Sequence, residues 1–222
     1  MRKLIILLII LFYFPVNYSH TNDKKLVESV LSEAQELYKE MELDGKINYS
    51  VFEQAMIGYK KIHAKNKNII TLIDFSKPST KKRFYVLDLK HKEVVYTTYV
   101  AHGRNSGGNY ATSFSNENGS NKSSLGFFVT ENTYEGKHGY SLIINGLEEG
   151  INDKAKERAI VIHSAGYANP SVISSSGRLG RSFGCPALPE DISTPIIDTI
   201  KNGTLLFIYA NDEGYLEKSA IL

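Results

Sequence analysis

The first pattern along the chain is an unbroken apolar run over residues 4–14, preceded by Arg2 and Lys3 and followed by Pro15, Asn17 and Ser19. A basic start, an apolar middle and a polar end with a small residue is the layout of a secretory signal, expected over 1–19. An apolar run of 11 residues is too short to span a bilayer as a helix. The competing reading is an N-terminal core helix. Beyond this segment the period becomes helical. Leu26, Val30, Ala34, Leu37 and Met41 recur three and four apart over 24–43, and Asp44-Gly45 supplies a stop. Phe52, Ala55, Met56, Tyr59 and Ile62 make one face of a second helix over 50–65, with Ser50 and Glu53 spaced as a capping box. After Asn68 the texture changes. Aromatic and β-branched residues predict strands over 69–75, 83–89, 93–101, 126–134, 140–147, 158–163 and 204–209. A further helix is expected to start at Pro195, capped by Thr194 and ended by Asn202-Gly203. The class is α+β, mostly β, with two N-terminal helices. The expected division is a signal over 1–19, a helical extension over 20–67 and a catalytic domain over 68–222.

Two stretches of 21 residues interrupt the strands, 104–124 and 164–184, both rich in small polar residues and glycine. Structureless loops this long are uncommon in compact domains and point to function. Composition narrows the chemistry. With 42% apolar and 23% charged residues the chain is that of a folded protein. Its one cysteine excludes an intramolecular disulfide and a zinc site built on several thiolates. The net charge of +2 comes from Arg2 and Lys3, which precede the first acid, Asp23; the remaining 26 − 2 = 24 basic residues balance 24 acidic ones. No basic bias points to nucleic acid. A lone thiol in an exported protein needs a reason, because structural cysteines outside the cytoplasm usually come in pairs.

That cysteine lies in Gly180-Arg181-Ser182-Phe183-Gly184-Cys185-Pro186-Ala187. Arg181 offers a nearby cation that favours the thiolate, and Gly184 removes a side chain where backbone amides could approach a carbonyl. His163 ends a buried strand and opens the loop that leads to Cys185, a placement suited to proton transfer. A core histidine bonded to a carbonyl, and a small buried cysteine, are the plainer readings of each residue taken alone.

Together, Ile162-His163-Ser164, a loop, and Ser182-Phe183-Gly184-Cys185 resemble the murein L,D-transpeptidase catalytic domain family. The similarity covers about 68–216 and includes Val100-Ala101-His102-Gly103 and Ser124-Leu125-Gly126-Phe127-Phe128. It is closest to a divergent branch reading Gly-Arg-Ser-x-Gly-Cys-Pro-Ala at the nucleophile. Phe183 stands where the family usually has a second histidine, and Pro186-Ala187 replaces an apolar residue followed by Arg or Asn. The resemblance implies a β-sandwich or barrel domain that transfers an acyl group from a stem tetrapeptide, through a Cys185 thioester, to an amine, releasing D-Ala. It gives Cys185 as nucleophile, His163 as general base and acid, the Ser164 carbonyl as its orienting group, and the Gly184 and Cys185 amides as oxyanion donors. It implies no metal and no cofactor. Arg178, Arg181, Ser182, His102, Asn105, Ser124 and His138 are the candidate substrate contacts, with Ser106 and Ser123 on the same grounds. Peptidoglycan stem peptides are the expected partners. A monomer is expected, periplasmic or attached to the cell wall, with no membrane span once the signal is removed. Hydrolysis by the same site would make an L,D-carboxypeptidase. Three rival readings stand beside this: a zinc hydrolase using His102, His138 and His163, a sortase-like enzyme lacking its downstream Arg, and an inactive wall-binding module.

Overall fold

A computed structural model describes the backbone of residues 19–222 and the side chains of residues 28–222. The expected signal over 1–19 lies almost wholly outside the described residues. Helix α1 spans Ser19–Glu40 and α2 spans Tyr49–Lys61. The cap of α2 falls two residues before the expected one: the Asn48 side chain accepts from the Ser50 amide. Asn is as good an N-cap as Ser, and its extended backbone here lets it reach. The buried face of α2 is Val51, Phe52, Ala55, Met56 and Gly58. Gly58 admits the Phe127 ring, where a Cβ would sit 2.1 Å from the ring edge. This face shares one apolar core with the sheet, so the helical extension is part of the packing of the strands.

The strands are β1 (Asn66–Asp74), β2 (Phe84–Asp88), β3 (Glu93–Thr98), β4 (Gly126–Gly136), β5 (Gly139–Gly146), β6 (Val161–Ser164), β7 (Ala187–Leu188) and β8 (Thr204–Tyr209). They form one mixed sheet in the order β3-β2-β1-β8-β4-β5-β6-β7. β8 is buried at every residue, as its unbroken apolar and β-branched sequence requires, and it runs parallel to β1 in the centre. The two edges of the sheet meet. Ala101, three residues beyond β3, bridges to Ala187 in β7, and Gly103 bridges to Ser182. The sheet is thereby a nearly closed, barrel-like ring rather than a two-layer sandwich, and its seam lies beside the cysteine. Closure removes the exposed edge that β7, a strand of two residues, could not protect alone.

Two expectations are corrected here. Helix α4 spans Glu190–Ile200, so Pro195 is inside it and Thr194 is not its cap. Glu190 and Asp191 lie in its first turn, where carboxylates suit the positive end of the helix, and Ile196, Ile197 and Ile200 fill the core. The 164–184 stretch is not structureless: it carries a 3₁₀ turn at Gly166–Ala168 and helix α3 at Ser171–Ser176, ended by Gly177 at φ +69°.

Candidate active site

The geometry of the site follows from one parallel pair. β6 and β7 run side by side with His163 opposite Ala187 and Ser164 opposite Leu188. Stepping back two residues on both strands brings Cys185 beside Val161. The Val161 amide lies 3.5 Å from the Cys185 sulfur, and the Ala159 carbonyl accepts from the thiol at 3.6 Å. His163 is therefore two residues further along the neighbouring strand, at the same seam.

His163 Nδ1 is 2.8 Å from the Ser164 carbonyl. A carbonyl can only accept, so Nδ1 carries the proton and Nε2 presents a lone pair. His138, in the tight turn between β4 and β5, stacks on the His163 ring with centroids 4.5 Å apart and planes 26° apart. Burial lowers the His163 pKa; the Ser164 hydrogen bond opposes this and the nearby His138 adds to it. Burial raises the Cys185 pKa, against the Val161 amide and the positive charge of Arg158. Both shifts favour the neutral forms. The resting forms are a neutral thiol and a neutral imidazole rather than thiolate and imidazolium.

The turn that presents Cys185 is braced on all sides. Ser182 Oγ donates to the Cys185 carbonyl at 2.6 Å and accepts from the Gly184 amide at 3.0 Å. The Gly184 carbonyl accepts from Ser123 Oγ, which also takes the Gly103 amide, while Ser106 Oγ takes the Ser123 amide. Gly184 has φ +132°, and a Cβ there would come within 2.9 Å of the Lys122 carbonyl. Only glycine suits both conditions. Its amide being engaged by Ser182, Gly184 is not a free oxyanion donor; this corrects the sequence expectation. The Cys185 amide makes no backbone–backbone bond to another of the described residues.

Arg158 ties these parts together. It donates to the carbonyls of Ser115 and Lys122 at 2.7 and 2.6 Å, and to Ser124 and Ser120 hydroxyls. It pins the 104–124 loop and sets a cation beside the sulfur. The sequence offered no sign of this, since Arg158 reads as the ordinary first residue of a strand.

The L,D-transpeptidase catalytic domain model matches residues 43–209, three quarters of the chain. The chain belongs to this family. Its match begins ahead of α2. Among solved structures, an L,D-transpeptidase from Mycobacterium smegmatis is 15% identical over 64% of this chain and 59% of that one, with a TM-score of 0.40. One from Mycobacterium tuberculosis H37Rv is 12% identical over 64% and 57%, with a TM-score of 0.41. The domain from Xylanimonas cellulosilytica is 16% identical over 64% and 60%, with a TM-score of 0.35. The chain thus spans less than two thirds of each of these structures. No curated protein matches it.

Within this L,D-transpeptidase domain the other sequence candidates divide sharply. His138 lies at the site, against His163. His102 does not line a groove: it is fully buried, with Nδ1 2.7 Å from Arg83 Nη2 and its ring edge-on to Phe75. Ser106, Ser123, Ser124 and Ser182 are buried in the bracing network and are not open to a substrate. Asn105 is exposed but its amide donates to the Ser120 carbonyl. Arg178 donates to the Leu179 carbonyl, and Arg181 to the carbonyls of Arg104 and Gly107. The three histidines weighed for zinc do not converge. Among the described residues the group that brings three ligand atoms within 4.8 Å is Asp88, His91 and Glu93, on the β2–β3 turn.

Proposed function

We propose that the protein is an exported, cysteine-dependent peptidoglycan L,D-transpeptidase of the Gly-Arg-Ser-x-Gly-Cys-Pro-Ala branch. The observation that carries this reading is the β6–β7 register, which sets the turn of Cys185, two residues ahead of β7, beside the strand of His163 in a family-matched domain with Nε2 left basic. In the first step Cys185 Sγ attacks the carbonyl of the L-centred residue that precedes the terminal D-Ala. The thiol proton passes to His163 Nε2. The C–S bond forms and the C–N bond breaks, and the imidazolium returns its proton to the departing D-Ala amine. In the second step an acceptor amine loses a proton to His163 and attacks the thioester, which restores the thiol and leaves a new amide. The Ser164 carbonyl holds the imidazole in its working tautomer throughout. The Cys185 amide is the donor available to the developing oxyanion. No step needs a metal. The wall lies outside the cytoplasm, which fits the signal layout of 1–19 and a thiol that is kept single for chemistry.

Incubating the mature protein with purified stem tetrapeptides and an amine acceptor tests this, with products read by mass spectrometry. Loss of D-Ala with formation of a cross-linked dimer is expected. Release of D-Ala with tripeptide alone would make it a carboxypeptidase. If a carbapenem fails to acylate Cys185 and no D-Ala is lost, the domain is a wall-binding module instead.

A further inference from the structure

The chain is close to neutral overall, but the two loops around Cys185 are not. Residues 104–124 carry Arg104, Lys122 and Glu117, and residues 164–188 carry Arg178 and Arg181 with no acid. Arg158 adds a fifth cation from below. Most of this charge is engaged by the protein. Arg158 is tied to four loop groups, Arg181 to two carbonyls and Arg178 to one. Arg104 differs. Its guanidinium makes no side-chain hydrogen bond or ion pair among the described residues, and its carbon lies 4.6 Å from the centre of the Phe183 ring. That ring is 63% exposed, the most exposed large apolar side chain among the described residues.

The backbone under this pair is rigid. Gly103 bridges to Ser182, the Arg104 amide donates to the Ser182 carbonyl at 2.8 Å, and Arg181 holds the Arg104 carbonyl at 3.0 Å. An arginine held against an aromatic face keeps N–H edges available to donate. Such an edge suits the two oxygens of a carboxylate. Phe183 is two residues before Cys185, on the turn that presents the sulfur, so Arg104 lies at the rim of the same turn.

We propose that Arg104, positioned by Phe183, binds the free carboxylate of the donor peptide's terminal residue and so selects donors with an unblocked C-terminus. This rests on the reading of the site as a stem-peptide L,D-transpeptidase. The residue that leaves is the one that carries this carboxylate, one carbon from the scissile nitrogen. A cation there holds the bond in line for Cys185 and is cleared when the amino acid departs.

The experiment compares a tetrapeptide donor with its C-terminal carboxamide, in the full mature chain and in Arg104→Ala, Arg104→Lys and Phe183→Ala. The parent protein is expected to favour the free acid by about tenfold or more in kcat/KM, in keeping with a charge-assisted pair. Arg104→Ala should lose that preference through a raised KM for the acid and leave the carboxamide unchanged. Arg104→Lys should keep part of it, and Phe183→Ala should weaken it without removing the charge. Alkylation of Cys185 by iodoacetamide should proceed at the same rate in all four proteins. Equal losses on both donors, or no preference in the parent, would overturn the role of Arg104 while leaving the transpeptidase reading standing. A parent protein that acts on neither donor would instead sink that reading, and Arg104's role with it.

Discussion

His102 and His163 hold matching places in the chain. Each follows a buried stretch at the end of a strand segment, each opens a long polar loop, and each engages Nδ1 in a ring hydrogen bond. The partners differ in kind. The Ser164 carbonyl accepts, so it forces the proton onto Nδ1 of His163 and leaves Nε2 basic. The Arg83 guanidinium donates, so it takes the lone pair of His102 Nδ1 and forces the proton onto Nε2. The two rings are held as opposite tautomers by neighbours of opposite polarity. One keeps a basic nitrogen on the strand next to the cysteine turn; the other has its proton sealed in the core. A histidine at a strand end is thus a base or a beam according to what meets its Nδ1.

The largest effect expected from this contrast is on turnover. Cys185→Ala should abolish acyl transfer with the fold intact by circular dichroism, because no other group can form the thioester. His163→Ala should cost about 10²–10⁴-fold, the usual worth of general acid–base catalysis. His102→Asn, which keeps an acceptor where Nδ1 was, should retain most activity. If His102→Asn is as inactive as His163→Ala in donor turnover followed by mass spectrometry, the contrast is wrong.

Next in size is the support of His102. Arg83 is fully buried and donates to the carbonyls of Val100 and Lys77 as well as to His102. Burial lowers its pKa to about 9, which still leaves it charged at neutral pH. Arg83→Met would strand three acceptors in the core, and a loss of about 3 kcal/mol in urea unfolding is expected. A loss under about 1 kcal/mol would mean that the seam near Val100 can rearrange.

How much of this was legible in the sequence depends on range. Cys185 and His163 stood out only together: each alone reads as a core residue, but Ile162-His163-Ser164 with Ser182-Phe183-Gly184-Cys185 carries the family resemblance. Most of the strands were legible too, since β-branched runs such as 204–209 need no partner to be recognised. What failed was long-range. β7 has two residues and no periodicity, so its parallel pairing with β6 could not be read. Arg83 and Arg158 are surface residues by composition, and only the fold turns them inward onto carbonyls distant in sequence. For the same reason His102 resembled a groove residue. Pro195 misled by a general preference: proline favours a helix start, but acidic Glu190 and Asp191 carry the start one turn earlier.

A smaller effect separates the two histidines by pH. Burial, then the Arg83 charge, lowers the His102 pKa to about 3. An unfolded histidine titrates near 6.5. Between these values the unfolded chain takes up a proton that the folded one refuses, so this part of the stability is complete above about pH 6.5 and is lost as pH falls towards 3. The slope is at most about 1.4 kcal/mol per pH unit. Urea midpoints at pH 7 and pH 4.5 should therefore diverge less in His102→Asn than in the parent protein. Equal divergence would show that other groups set the acid limit.

The smallest expected effect lies at His138, and it tests whether the base is tuned from outside its own strand. The His138 ring is exposed at the β4–β5 turn yet covers the His163 ring, which is only 2% exposed. Burial is the main reason that the His163 pKa is lowered, and the His138 charge pushes the same way. His138→Ala removes both: it uncovers the ring and it removes the neighbouring imidazole. Each change raises the His163 pKa, so the acid limb of the pH profile of kcat/KM, where His163 must be unprotonated, should move to higher pH. His138→Phe keeps the cover but not the charge and should shift the limb less. The hydrogen bond to Ser164 is untouched in both, so the plateau rate should change little. A limb that moves equally in the two variants would mean that the His138 charge and not its cover sets the base, and a limb that stays put or moves to lower pH would mean that His138 does not depress the His163 pKa.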